Sequence, residues 1–159
     1  MNKDEIQNLI KELIERTTGG LNEISITEEK PGSVWVSVEV SEPHLFTGRE
    51  GEGLSALNHL VRRIMETKNY AKMTAEESPG VLIDINGFQK KHIENIRAIA
   101  HMMSERARYF KSNIEVDPMT AFERRIVHEF LSDADDLLTV SIGAGRSRRV
   151  VIKYVGELK

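Results

Sequence analysis

Between residues 33 and 40 every second side chain is valine: Val34, Val36, Val38 and Val40 alternate with Ser33, Trp35, Ser37 and Glu39. Successive side chains of an extended chain point to opposite sides, so this pattern predicts a β-strand with one apolar face. Residues 21–29 predict a second strand, with Pro31-Gly32 as the hairpin turn between the two. Helices flank this hairpin. Ile6, Leu9, Ile10, Leu13 and Ile14 form one stripe over 3–16, which Gly19-Gly20 stops; Leu54, Leu57, Leu60, Val61 and Ile64 form another over about 51–67. A short helical turn fits 42–47. After the break at Ser78-Pro79-Gly80, Val81-Leu82-Ile83-Asp84-Ile85 reads as a third strand, closed by Asn86-Gly87.

Ile93, Ile96, Ala100, Met103, Ala107 and Phe110 then step by three and four, predicting a long helix with one apolar seam. At 1.5 Å per residue a helix over 89–111 is roughly 35 Å long, a stiff spacer between two units. Beyond it, Ile114-Glu115-Val116 reads as a short strand ended by Asp117-Pro118. Thr120-x-x-Glu123 is a capping box opening a helix that ends near Ser132-Asp133, with Phe122, Ile126 and Phe130 on its buried side. Leu138, Val140 and Ile142 alternate, Gly143-Ala144-Gly145 turns the chain, and Val150, Ile152 and Tyr154 alternate again. The fold class is α+β, as two successive units: α-β-β-α-α-β, a long helix, then β-α-β-β.

The composition excludes several kinds of chemistry. There is no cysteine, so disulfides, thiol catalysis and cysteine-held metals are out, in keeping with a reducing cytoplasm. No apolar run reaches membrane-spanning length, and the acidic start at Asp4-Glu5 is unlike a signal peptide. The five histidines (44, 59, 92, 101 and 128) form no His-Glu-x-x-His helix, so no metal site is expected; His92 and His101 read as surface or partly buried helix residues. Gly143-Ala144-Gly145 leads into a strand and lacks the third glycine of a dinucleotide site. Gly48-x-x-Gly51 lacks the Gly-Lys-Ser/Thr ending of a phosphate loop. Nothing marks Asp84 and Glu94 as an acid/base pair. The expectation is a protein that is not an enzyme and takes no cofactor. With a net charge of −3, any nucleic-acid site has to be a local basic patch.

Three groups of residues are candidates for such a site. In Phe46-Thr47-Gly48-Arg49-Glu50-Gly51-Glu52-Gly53-Leu54, glycines flank a charged pair at the opening of a helix, where main-chain N–H groups point outward at an anion. The plain alternative is an ordinary helix–helix turn. Arg124 and His128, four apart, share one helix face, either to contact phosphate and sugar or to hold the hairpin against the helix. Arg146, Arg148 and Arg149 can merge with Arg124, Arg125 and Lys153 into one positive patch. The segment from 111 on carries as many acids as bases, and the alternative is a solvated edge whose arginines discourage sheet pairing. Trp35 and Tyr109 could stack on bases, although such residues more often fill a core or interface.

The element order around Gly48-Arg49-Glu50-Gly51 resembles a type II KH domain, a module that binds single-stranded nucleic acid. The run Asp117-Pro118-Met119-Thr120-Ala121-Phe122-Glu123-Arg124-Arg125-Ile126-Val127-His128, with Arg148-Arg149-Val150-Val151-Ile152 downstream, resembles the small nucleic-acid-binding domain named for its Arg-x-x-x-His signature. Together they resemble the bacterial Jag (SpoIIIJ-associated) family. The resemblance implies a KH-like domain over 1–88, a connecting helix over 89–111 and an Arg-x-x-x-His domain over 112–159. It implies binding of single-stranded RNA or DNA in the cytoplasm, roles near cell elongation, division, shape or sporulation, and partnership with a second small KH protein or self-association. Two features depart from the family pattern. The chain starts at the KH unit, with no Jag domain before it. The loop pair is Arg49-Glu50, followed by Glu52, where the family is usually more basic. An acid a few Å from a phosphate costs on the order of 1 kcal/mol even in water, so weak or selective binding by this loop is expected. The competing expectation is a protein-interaction scaffold that docks a partner through the seam of the long helix or a free sheet edge.

Overall fold

A computed structural model describes residues 3–17, 20–30, 32–69 and 80–156. Gly19 of the expected helix stop, Pro31 of the hairpin turn and the Ser78-Pro79 break lie outside the described residues. The chain is mixed α+β and divides into two compact units, Met1–Lys90 and Lys91–Lys159.

In the first unit, helix α1 (Lys3–Arg16) buries Ile6, Ile10 and Ile14 at spacings of four. Strand β1 (Leu21–Lys30) runs antiparallel to β2 (Ser33–Val40), and β2 runs parallel to β3 (Gly80–Ile85), giving the sheet order β1-β2-β3. All four alternating valines of β2 are in the core, beside Val81, Ile83 and Ile85 of β3. The short helix α2 (His44–Thr47) contributes Phe46, and α3 (Glu52–Asn69) contributes Leu54, Val61 and Met65. The stripe on α3 differs from the expected one. Leu60 is half-exposed and Met65 is buried instead, because 54, 57, 61 and 65 stay on one side of a 3.6-residue helix while 60 rotates away.

Asparagine amides finish two strand ends. Asn86 Oδ1 accepts from Val40 N–H (2.9 Å) while its Nδ2 donates to Val40 O (3.1 Å). At the outer edge of β3, Asn58 Oδ1 accepts from Ile83 N–H at 2.9 Å. Both satisfy main-chain groups that no neighbouring strand reaches.

Helix α4 (Phe88–Phe110) starts in the first unit and runs into the second. The seam over 93–107 is not a bare spacer: Ile96, Ala100 and Ala107 are core residues of the second unit. Phe110, expected on that seam, is exposed instead, because it lies at the last turn, past the body that the seam packs against. Strand β4 (Ile114–Glu115), helix α5 (Ala121–Phe130), strand β5 (Leu137–Ile142) and strand β6 (Arg149–Tyr154) complete this unit, with a 3-10 turn at Gly145–Ser147 and the sheet order β4-β6-β5.

The expected capping box opens α5. Thr120 Oγ1 accepts from Glu123 N–H at 3.3 Å, and the Glu123 carboxylate accepts from Thr120 N–H at 2.6 Å. The helix ends at Phe130, two residues before the expected Ser132-Asp133, and Phe130 is exposed rather than on the buried side. Strand β5 reverses its expected faces. Leu138 pairs with Lys153, Val140 with Val151 and Ile142 with Arg149, and both Leu138 and Ile142 are exposed. Thr139 and Ser141 point inward instead, opposite Ile152 and Val150. Alternation fixes that two faces exist, and here the inward one carries hydroxyls because a histidine meets them.

Candidate nucleic-acid interface

In the first unit the glycine loop joins α2 to α3. Gly48 has φ 62° and ψ −156°, a region only glycine enters readily. Glu50 (φ 52°) and Gly51 (φ 85°) also turn left-handed. Glu52 N–H donates to Arg49 O at 3.0 Å, and Ser55 N–H donates to Gly51 O at 2.9 Å. The N–H groups of Arg49, Glu50 and Gly51 donate to no backbone acceptor among the described residues. Gly48, Arg49 and Glu50 are exposed and Gly51 is half-buried, so these donors sit on a protruding turn.

Gly53, which the sequence pattern alone does not single out, holds this turn in place. A Cβ there would lie 2.3 Å from Phe46 O, so α2 and α3 cross with backbones nearly in contact. The repeat Gly51-Glu52-Gly53 is the one signal of it in the sequence. Gly51 is closed from the other side by Phe88, whose ring lies 2.9 Å from where its Cβ would be.

In the second unit Arg124 and His128 lie on one face of α5, and both are engaged. Arg124 Nη1 donates to Met119 O at 2.8 Å, and Met119 N–H donates to Arg148 O at 3.1 Å, so Arg124 braces the 117–120 segment against the entry to β6. His128 Nδ1 is 2.6 Å from Thr139 Oγ1, and Nε2 is 2.9 Å from Ser141 Oγ. Its pKa lies below the ordinary histidine value, through burial first and then the positive Arg124. Of the two readings of this pair, the geometry supplies the contacts of the structural one.

The remaining basic residues differ in availability. Arg149 pairs with Glu115 at 3.2 Å and donates to Ser147 O. Lys153 is half-buried on the outer sheet face opposite Leu138. Arg125, Arg146 and Arg148 are exposed, with no ion pair among the described residues. Arg146 and Arg148 therefore stand at the β5–β6 turn beside Arg149, while Arg125 lies on the exposed side of α5. Asp136, from the acidic run at 133–136, is tied up: Arg108 Nε and Nη2 donate to its two oxygens at 2.6 and 2.9 Å. That clamp holds the Asp136 carboxyl below the usual carboxylate range and the Arg108 guanidinium above its own. His92, expected as a surface or partly buried residue, is half-buried with Nε2 3.0 Å from Glu123 Oε1, the carboxylate that also closes the capping box.

Basic side chains gathered at one turn, on a unit braced by a helix with the Arg-x-x-x-His spacing, fit a small nucleic-acid-binding module. The model of the domain family named for that Arg-x-x-x-His signature matches residues 94–154, a span that contains Arg124, His128 and most of α4. The chain is 25% identical to the RNA-binding protein KhpB of Bacillus subtilis (strain 168) over 152 residues, covering 92% of this chain and 68% of the relative. It is 22% identical to the RNA-binding protein KhpB of Clostridium symbiosum over 159 residues, covering 98% and 69%. The RNA-binding protein KhpB of Streptococcus pneumoniae serotype 2 is 26% identical over 120 residues, covering 76% and 35%. No described helix is long and apolar enough to cross a membrane.

Proposed function

We propose that this chain binds single-stranded RNA, without bond chemistry, through two surfaces: the Gly48–Gly51 loop of a type II KH-like unit and the arginines of the unit that matches the Arg-x-x-x-His domain. The observation that carries the reading is the set of unpartnered N–H donors at Arg49, Glu50 and Gly51, on a turn whose backbone favours glycine. Such a turn receives a phosphate by main-chain contact, and loops of this type clamp about four nucleotides. The element order and the β1-β2-β3 sheet, with β2 and β3 parallel, support the KH-like assignment. In the second unit Arg146 and Arg148 take phosphates, Arg125, Arg149 and Lys153 add to the field, and Arg124 and His128 shape the surface. On the family resemblance the setting is the bacterial cytoplasm, near cell elongation or division.

The test is titration of a labelled single-stranded RNA with Arg49→Asp/Glu50→Asp. About a tenfold loss of affinity at an unchanged melting temperature is expected. Equal affinity removes the loop from the mechanism. Arg146→Ala/Arg148→Ala should lower the salt slope of log K by about 1.4, at about 0.7 for each single-strand phosphate the protein no longer neutralises. An unaltered slope means that these arginines do not meet phosphate.

A scaffold reading is favoured by one observation, the exposure of Leu138 and Ile142 on the outer face of β5. Light scattering separates the two: a scaffold self-associates and leaves RNA unshifted.

A further inference from the structure

The last turn of α4 places two large aromatic rings in water. Tyr109 is 81% exposed and Phe110 63% exposed. Their centroids are 5.0 Å apart with the planes at 90°, so each ring braces the other by edge while leaving face area open. The site is held firmly. Arg108, between Arg106 and the rings in sequence, is clamped to Asp136, and Lys111 N–H and Ser112 N–H donate back to Arg108 O (3.3 Å) and Ala107 O (3.2 Å). This is a Schellman closure with Lys111 at its left-handed position, φ 49°, where glycine is the less strained residue.

Charge identifies the occupant. Arg106 lies three and four residues before the rings, on the same helix face, and Lys111 follows them. Neither makes an ion pair or side-chain hydrogen bond among the described residues. The neighbouring acid Glu105 is turned to Arg108 at 2.7 Å. Exposed rings between two unpaired cations fit a base that stacks and phosphates that need neutralising. The helix C-terminus repels a phosphate on its axis, so the strand's backbone has to run back along the helix toward Arg106.

We infer that Tyr109 and Phe110, with Arg106 and Lys111, form a base-stacking site for single-stranded nucleic acid. The inference rests on the nucleic-acid reading above and adds a site to it. A base stacked on an aromatic ring contributes sequence-tolerant affinity. The contribution depends on the base and not on the phosphate.

The test uses the whole chain with two probes: a short fluorescein-labelled oligouridylate and an abasic ribose-phosphate strand of equal length. Tyr109→Ala/Phe110→Ala should bind the oligouridylate about tenfold more weakly and the abasic strand as the parent does. Tyr109→Trp, which keeps a stacking face, should retain parental affinity. Both rings are exposed, so the melting temperature should stay within about a degree or two. Unchanged oligouridylate affinity in the double variant overturns the stacking site and leaves the RNA reading standing. Equal loss on both probes also overturns it, by showing a charge or fold effect. A change in self-association without a change in affinity makes the patch an interface between copies. A parent chain that binds neither probe sinks both readings together.

Discussion

His128 on α5 and Thr139 on β5 meet at 2.6 Å, with the opposite ring nitrogen 2.9 Å from Ser141. A residue of the Arg-x-x-x-His signature is thus the polar link between helix and edge strand, and the two hydroxyls occupy positions that would otherwise be apolar. Such a link is specific because the ring must be matched on both sides.

His128→Ala should destabilise the second unit by about 1–3 kcal/mol, since it leaves two hydroxyls unpaired under the helix. Amide hydrogen exchange of β5 and β6 is the measurement. The pH dependence follows from the lowered pKa. The fold disfavours the charged ring, so the stability is fully present above the unfolded value of 6.5 and declines as pH falls through that value toward the folded one. Removing the ring should flatten this decline. A variant that keeps the parental slope places the titrating group elsewhere.

Gly53→Ala should cost about 1–3 kcal/mol, because its Cβ meets a carbonyl oxygen that cannot turn aside. Glu50→Gly should be neutral or mildly stabilising, since Glu50 already holds φ 52°. Fluorescence of Trp35, the only tryptophan, reports the first unit in urea unfolding. If Gly53→Ala is neutral, the close crossing of α2 and α3 is not what positions the loop.

Much of the fold is legible in the sequence wherever a period is long and unbroken. The valines of β2, the isoleucines of α1 and the capping box at Thr120 all lie in the elements their spacing predicts. The departures share one cause: a period reveals that two faces exist and not which is covered. Alternation therefore points Leu138 and Ile142 inward where the fold turns them out, and helical register assigns Phe110 and Phe130 to the core although both stand at helix ends in water. The candidate site is legible as residue types. Which arginines are engaged is not, because Glu115 reaches Arg149 across 34 positions of sequence. The bracing of Arg124 on a carbonyl carries no side-chain signature at all.

Asp84 is 4% exposed at the end of β3, and its carboxylate accepts from Gln89 N–H at 2.8 Å, capping the first turn of α4 from a distance. Burial raises its pKa; the N–H groups of Gln89 and Lys90 and the Lys90 charge oppose that without cancelling it. The sign is therefore opposite to that of a salt-bridged carboxylate. The contribution to stability is present below the ordinary value of 3.8 and is lost as pH rises through the raised folded one. An asparagine keeps the acceptor oxygen and removes the ionisation, so Asp84→Asn should match or exceed the parent at neutral pH. Asp84→Ala should lose about 1–2 kcal/mol, because the helix N–H groups then have no acceptor. Urea unfolding at neutral and acid pH, followed by Trp35 in the adjoining strand, separates the two. If Asp84→Asn is as damaging as Asp84→Ala, it is the negative charge at the helix start that holds α4, and the helix dipole outweighs the cost of desolvating that charge.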